Sequence, residues 1–344
     1  MTTVQVDEST DTRWNRIASR ILDGGSIQRD EANAVLSSPD EELMDLLAAA
    51  YRVRRDAFGN RVRLHFLVNA KSGHCEEDCH YCSQSRVADT NIDEYDMMDT
   101  DTLLDGAREA AENDACTYCI VASGREPRPG ELDQVCDAVQ EIKSQYDLNV
   151  CACLGLLSEK DAQQLSDAGV DRVNHNLNTS QDHYPDICST HTFEDRIDTL
   201  KNVRNAGIEL CSGVLLGMGE SEHDRVDVAM ELSDIDVKSL PVNFLNPIEG
   251  TPLEGTWELN PRKCLKILCM YRFTNPDTEI RIAGGREIQL RSLQPLALYP
   301  ANSMFVGDYL TTSGQEENED IKMIKDMGFE VELSDRQKKA LEEQ

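Results

Sequence analysis

The chain has 344 residues, 64 of them acidic and 34 basic, for a formal net charge of −30. A surface this negative repels nucleic-acid phosphates and anionic lipid, which discounts both as partners, and no apolar run reaches the roughly 18 residues of a membrane span. Arg outnumbers Lys, 23 to 11, and diffuse acidity with scarce Lys points to a halophilic, salt-rich cytoplasm, where a short Debye length makes self-repulsion tolerable.

Twelve cysteines are the other outlier. The opening MTTVQVDESTDTRW has neither the basic start nor the apolar stretch of a signal peptide, so a cytoplasmic protein is expected. In that compartment many cysteines point to metal or redox chemistry rather than to disulfides.

In chain order, residues 1–60 read as a helical extension. Trp14, Ile17, Ile21 and Leu22 recur at helical spacing and stop at Gly24-Gly25. Pro39 suits the first turn of a second helix through EELMDLLAAAYRVRR. From residue 61 the pattern changes. Short β-branched runs at 63–69, 116–123, 148–154, 171–178, 208–217, 239–246, 279–285 and 302–308 alternate with helix-like segments. Eight strand signals with helices between them predict a parallel, helix-covered sheet. The fold class expected is α/β, a (β/α)8 TIM-type barrel over 61–311, fully or incompletely closed, with an open doubly wound sheet as the alternative. Residues 312–344 read as an acidic C-terminal tail or last helix.

Directly after the first strand comes GHCEEDCHYCSQS, in which Cys75, Cys79 and Cys82 are spaced C-x3-C-x2-C. In a barrel that loop lies at the C-terminal face, where active sites sit. One reading is zinc, with His74 or His80 as fourth ligand, but structural zinc sites usually pair two short clips. The only similar clip, Cys116-x2-Cys119, lies largely inside a strand. The other reading is an iron–sulfur cluster, for which four thiolates are the norm. Three leave one iron open, as catalytic metal sites leave a position for substrate.

C-x3-C-x2-C with the aromatic Tyr81 before the last cysteine is the signature of the radical S-adenosylmethionine (SAM) superfamily. Further motifs narrow the resemblance: Asn174-His175-Asn176-Leu177-Asn178-Thr179-Ser180, Cys211-Ser212-Gly213, Pro241-Val242-Asn243, Gly250-Thr251-Pro252-Leu253 and Arg281-Ile282-Ala283-Gly284-Gly285-Arg286-Glu287. Together they resemble the biotin synthase family from about residue 14 to 315, in the form found in spore-forming bacteria.

That resemblance implies a [4Fe-4S] cluster on Cys75, Cys79 and Cys82 with SAM at the open iron. It also implies a deeper [2Fe-2S] cluster on Cys119, Cys151, Cys211 and Arg281, the sulfur donor. Periodicity alone leaves choices open: Cys151 and Cys153 share a face, and only one of Cys116 and Cys119 points inward. The resemblance selects Cys151. Cys116, Cys136, Cys153, Cys188, Cys264 and Cys269 read as core cysteines.

Asn174, Asn176 and Asn178 alternate along one face of the fourth strand, a row that needs polar partners. By resemblance Asn176 and Asn178 bind the SAM ribose and the substrate's ureido ring, Asn174 and Asn243 contact the substrate, and His175 faces away. Some family members carry Asp where this chain has Asn178. Arg196 matches an arginine that holds the SAM carboxylate. Tyr81 and the Gly213-x-Leu215-x-Gly217-x-Gly219-Glu220 segment match the adenine site, with Leu215 in contact, and Ser123 lies beside the SAM methionine. No catalytic residue beyond the clusters is implied.

The reaction implied is sulfur insertion into dethiobiotin to give biotin. A deoxyadenosyl radical removes hydrogen from a methyl carbon, that carbon takes sulfur from the two-iron cluster, and a second radical closes the ring. An electron donor such as flavodoxin or ferredoxin, iron–sulfur assembly proteins and a homodimer belong to the same expectation. Alternatives are another radical SAM barrel enzyme, of the hydrogenase maturase or mutase type, and a non-catalytic metal-binding scaffold.

Overall fold

The structure is a computed structural model that describes residues 12–73 and 75–333. Three helices come first: α1 (Arg13–Leu22), α2 (Arg29–Leu36) and α3 (Leu43–Phe58). Thr12 caps α1 by accepting from the Asn15 amide, and Trp14, Ile17, Ala18 and Ile21 make its buried face. The expected second helix begins as a 3-10 turn, Asp40–Glu42, directly after Pro39 and then runs on as α3.

Strand and helix then alternate: β1 (Arg61–Lys71), α4 (Thr100–Glu112), β2 (Thr117–Ala122), α5 (Glu131–Gln145), β3 (Asn149–Cys153), α6 (Glu159–Ala168), β4 (Arg172–Asn174), α7 (Tyr184–Ile187) and α8 (Phe193–Asn205). Next come β5 (Glu209–Cys211), β6 (Val214–Leu216), α9 (Glu222–Asp234), β7 (Ser239–Phe244), α10 (Pro261–Thr274), β8 (Glu279–Ile282), α11 (Arg286–Leu290), β9 (Ser303–Phe305), α12 (Glu317–Asp326) and β10 (Glu330–Val331). Helices α2 and α3 pack on α10, so the N-terminal helices cover one flank of the barrel.

The sheet runs β1-β2-β3-β4-β5-β7-β8-β9 with every ladder parallel, and β9 returns to β1. The barrel is therefore closed. Strands β5 and β6 are two pieces of one stave, since both pair with β7. The break falls at Gly213, where only glycine fits: a Cβ there would lie 1.9 Å from the Pro241 carbonyl oxygen.

Alternation sorts the side chains. Tyr118, Ile120, Val150, Ala152, Leu210, Leu240, Val242, Ile280 and Met304 are buried in the main apolar core. The opposite parity, with Cys119, Cys151 and Cys211 among its members, forms a separate interior cluster.

One expectation is corrected. The run at 171–178 is a strand only as far as Asn174, because the chain turns away and Asn178 takes the left-handed φ of +68°. Among its described residues the segment from 312 adds to the fold. Strand β10 pairs with the start of β1, and buried Asp320 on α12 receives Arg286 Nη2 at 2.6 Å. Among the described residues no helix is long and apolar enough to cross a membrane.

Candidate active site

Cys119 and Cys151 are direct partners in the β2–β3 ladder, and Cys211 partners Asn174 across β4–β5. Side-chain alternation turns all three inward, where they pack with Leu67, Val121 and Phe305. Arg281, on β8, is buried beside them, with its guanidinium carbon 4.8 Å from the Phe305 ring centre. Its two hydrogen bonds both leave from Nη2, to Ser239 Oγ at 2.7 Å and Glu279 Oε1 at 3.0 Å.

Glu279 is itself buried, and Arg172 Nη1 reaches its Oε2 at 2.9 Å while His65 Nε2 lies 2.8 Å from its Oε1. One carboxylate thus offsets the guanidinium charges of Arg172 and Arg281 at the N-terminal end of the barrel. Burial opposes that charge, but His65, Arg172 and Arg281 outweigh it and hold the carboxyl well below its ordinary range. For Arg281, burial likewise disfavours the cation, while Cys211, Glu279, Cys119 and Cys151 raise its pKa. Contact with Cys119 pushes the Cys151 thiol well up, and contact with Cys151 does the same to Cys211. Loading a metal here must therefore expel thiol protons.

Above this layer a cavity of about 310 Å³ opens toward the C-terminal face. Cys119, Cys151 and Arg281 form its floor, and Tyr81, Cys82 and Leu215 are in its wall. Asn174, Asn176, Asn178 and Asn243 all line it too, although only Asn174 and Asn243 sit on strands. Asn174 Nδ2 donates to Asn176 Oδ1 at 3.1 Å and to Cys211 Sγ at 3.2 Å. Asn176 Oδ1 also accepts from the Gly213 amide at 3.1 Å, so its amide nitrogen is the part left for a ligand. Asn178 Nδ2 donates to the Tyr81 hydroxyl at 2.7 Å. Asn243 is clamped between the Val214 carbonyl and the Gly284 amide, each at 3.0 Å. Cys153 lines the cavity as well, which the alternation had left open.

Cys75, Cys79 and Cys82 lie in the loop between β1 and α4. Burial raises the thiol pKa of Cys75 and pushes Cys82 up to about 11. Two of the three acids inside the motif anchor the loop. Asp78 Oδ1 accepts from the Ser189 amide at 2.8 Å and the Thr190 amide at 3.2 Å. Glu77 pairs with Arg125 at 2.9 Å and contacts Thr190 and His191. Sequence reasoning missed both roles, since an acid in a charged chain carries no spacing signal. His74, one candidate zinc ligand, lies outside the described residues.

Arg196 is buried on α8. It bonds the Asn176 carbonyl at 2.8 Å, His191 Nε2 at 2.9 Å and the Tyr184 hydroxyl. Neither it nor Ser123 lines the main cavity; Ser123 donates to the Gly73 carbonyl at 2.6 Å and edges a separate small cleft. His175 is buried, and burial followed by the Arg196 charge keeps it neutral. In the glycine segment, Glu220 accepts from the Gly217 and Met218 amides at 2.8 and 2.7 Å and pairs with Arg225, so it shapes the turn.

Of the cysteines read as core, Cys136, Cys264 and Cys269 are buried in helices, while Cys116 Sγ meets the Glu332 carbonyl at 3.1 Å. Cys188 differs, because its Sγ lies 3.8 Å from Cys79 Sγ and 3.3 Å from His191 Nδ1.

The Radical SAM superfamily model matches residues 71–232, and the Biotin and Thiamin Synthesis associated domain model matches 241–330. Biotin synthase of Geobacillus thermodenitrificans is 55% identical over 321 residues, covering 93% of this chain and 97% of that protein. Biotin synthase of Bacillus subtilis is 52% identical over 329 residues, 96% of this chain and 98% of that protein. Among solved structures, methylornithine synthase superposes with a TM-score of 0.79 at 19% identity, covering 92% of this chain and 98% of that one. The FeFe-hydrogenase maturase of Carboxydothermus hydrogenoformans gives 0.76 at 18% identity, covering 93% and 79%. Those two likenesses carry the fold alone, whereas the near full-length identities carry the family: this chain belongs to the biotin synthase family of the radical SAM superfamily.

Proposed function

We propose that this chain makes biotin from dethiobiotin by radical sulfur insertion, with SAM as the radical source. The observation that carries this reading is the meeting of Cys119, Cys151, Cys211 and Arg281 beneath an asparagine-lined cavity in a chain of this family. Three buried thiols suit iron–sulfur ligation, so in this reading they and Arg281 hold a [2Fe-2S] cluster. Cys75, Cys79 and Cys82 hold a [4Fe-4S] cluster whose remaining iron is left to SAM. When bound, these groups supply a carbon-centred radical and the sulfur atom.

The chain's own part is positioning and exclusion of water. A ureido ring presents two N–H donors and a carbonyl acceptor. Amides both donate and accept, so Asn174, Asn176 and Asn243 suit such a ring. Leu67, Leu215, Phe244 and Phe305 give the cavity apolar walls for the substrate's alkyl chain. Asn178 with Tyr81 would face the SAM nucleoside, beside Leu215. In this reading Arg196 reaches the SAM carboxylate only by giving up one of its present partners, and Ser123 serves the methionine end from outside the main cavity.

The same reading takes residues 1–60 as a helical extension, 61–311 as the barrel and the acidic remainder as its appendage. It also implies a flavodoxin- or ferredoxin-type electron donor, iron–sulfur assembly proteins, a homodimer and a salt-rich cytoplasm.

The test is an anaerobic incubation of reconstituted protein with strong reductant, SAM and dethiobiotin in high salt. Biotin and 5′-deoxyadenosine should both form. Alanine at Cys75, Cys79 or Cys82 should abolish both products. Alanine at Cys119, Cys151 or Cys211 should keep deoxyadenosine and lose biotin. Deoxyadenosine without biotin from a protein carrying an intact two-iron cluster would mean that the substrate is wrong.

A further inference from the structure

Outside the cavity floor, one other group of metal-binding side chains is drawn together among the described residues. Donor atoms of Cys79, Cys188 and His191 all lie within 4.8 Å of one another, and all three residues are buried. They come from three places: the motif loop, the end of α7 and the turn before α8. The tie between Glu77, Asp78 and residues 189–190 holds the turn against the loop.

The spacing suits a single ion. Two thiolates on one tetrahedral zinc, each at about 2.3 Å, stand about 3.8 Å apart. Cys79 Sγ and Cys188 Sγ are 3.8 Å apart. A thiolate and an imidazole nitrogen on the same ion stand about 3.5 Å apart, and Cys188 Sγ to His191 Nδ1 is 3.3 Å. Nδ1 is the nearer ring nitrogen, since Nε2 is 3.9 Å from Cys188 Sγ. Nε2 lies 2.8 Å from the Tyr184 hydroxyl, which accepts its proton once Nδ1 is given to a metal. That arrangement costs Glu77 its contact with Nδ1 and Arg196 Nη2 its contact with Nε2, but Glu77 keeps Arg125 and Thr190, and Arg196 keeps the Asn176 carbonyl and the Tyr184 hydroxyl. The fourth position is left to water, since Asp78 Oδ1, although 3.3 Å from Cys188 Sγ, is held by the Ser189 and Thr190 amides.

We infer that the full chain, before any cluster is loaded, binds one thiophilic divalent cation of the zinc class through Cys79, Cys188 and His191. Two thiol protons leave to solvent as the ion enters, and no oxidant or reductant is needed. With Cys79 as a terminal ligand of each, this ion and a cluster on Cys75, Cys79 and Cys82 exclude each other. The zinc site depends on the observed geometry and stands whether or not the chain makes biotin.

The experiment uses cluster-free, reduced full-length protein with Co(II) and Zn(II) as the actual probes. Co(II) should bind at one equivalent with intense tetrahedral d–d bands and a thiolate charge-transfer band, and Zn(II) should displace it. Cys188→Ala and His191→Ala should each weaken binding at least about 100-fold, more than the 10–100-fold typical of losing a mere outer-sphere partner. Cys75→Ala and Cys82→Ala should bind as the parent does. X-ray absorption on the zinc-loaded parent needs no variant to fold, and should find two sulfur and one imidazole ligand. Three sulfurs, or Co(II) binding that is lost with Cys75 or Cys82 and kept without Cys188, would overturn the site. A zinc-loaded sample should also build the four-iron cluster, read by its own absorption, only after a chelator removes the zinc.

Discussion

Glu279 Oε1 receives Arg281 Nη2 at 3.0 Å, and both side chains are buried inside the barrel. With Ser239 it fixes one guanidinium nitrogen and leaves the remainder of the fork to the thiol layer. Removing one partner of a buried ion pair typically costs about 3–5 kcal/mol, because the other charge is left uncompensated. Glu279→Gln keeps the shape and loses the charge. It should lower stability by about 3 kcal/mol in urea and weaken the absorption of a reconstituted two-iron cluster. A variant as stable as the parent would show that Arg172 and Arg281 do not depend on this carboxylate.

Asn178 and Tyr81 share a 2.7 Å hydrogen bond across the cavity wall. A net hydrogen bond is worth about 1 kcal/mol, or roughly a fivefold change in affinity. Tyr81→Phe should therefore weaken SAM binding about fivefold by anaerobic calorimetry, with the four-iron cluster's absorption unchanged. Equal affinity in the two proteins would remove this pair from the SAM site.

Gly213 lies where its stave breaks, and an added Cβ would meet the Pro241 carbonyl oxygen at 1.9 Å. Backbone cannot rotate aside as a side chain can. Gly213→Ala should cost about 3 kcal/mol or prevent folding, as read from a denaturant curve. A neutral result would mean that β5 and β6 tolerate a different path.

The capping box of α8 gives a pH signature. Asp195 accepts from the Thr192 amide at 2.8 Å, and that bond leads the causes holding its carboxyl below the usual 3.8. A depressed carboxylate contributes stability above its unfolded pKa and loses it as pH falls through the lower folded value. Asp195→Asn should cost about 1 kcal/mol near neutral pH, with the gap to the parent closing below about pH 4 and narrowing in high salt. A gap that stays constant through acid would assign the cap to geometry rather than charge.

The three loop cysteines were legible in the sequence because their ligand spacing is local. The eight staves were legible because alternation and helix periodicity are local too. Alternation also put Cys119, Cys151 and Cys211 on strands without choosing between Cys151 and Cys153, since same-face residues look alike until the barrel curvature sets their depth. The row of asparagines was read as one strand face, yet Asn176 and Asn178 reach the cavity from a turn made by a left-handed residue.

By itself, the sequence determined the barrel class, the radical SAM loop and the family, because each depends on residue types at short, fixed spacings. Tertiary structure alone decided that Glu279 would gather Arg172, His65 and Arg281, and that Cys188, an unremarkable cysteine in the chain, would sit against Cys79. Those residues lie about a hundred positions or more from some of their partners. No period links such contacts; only closure of the sheet and docking of the loops bring the charges and thiols within reach.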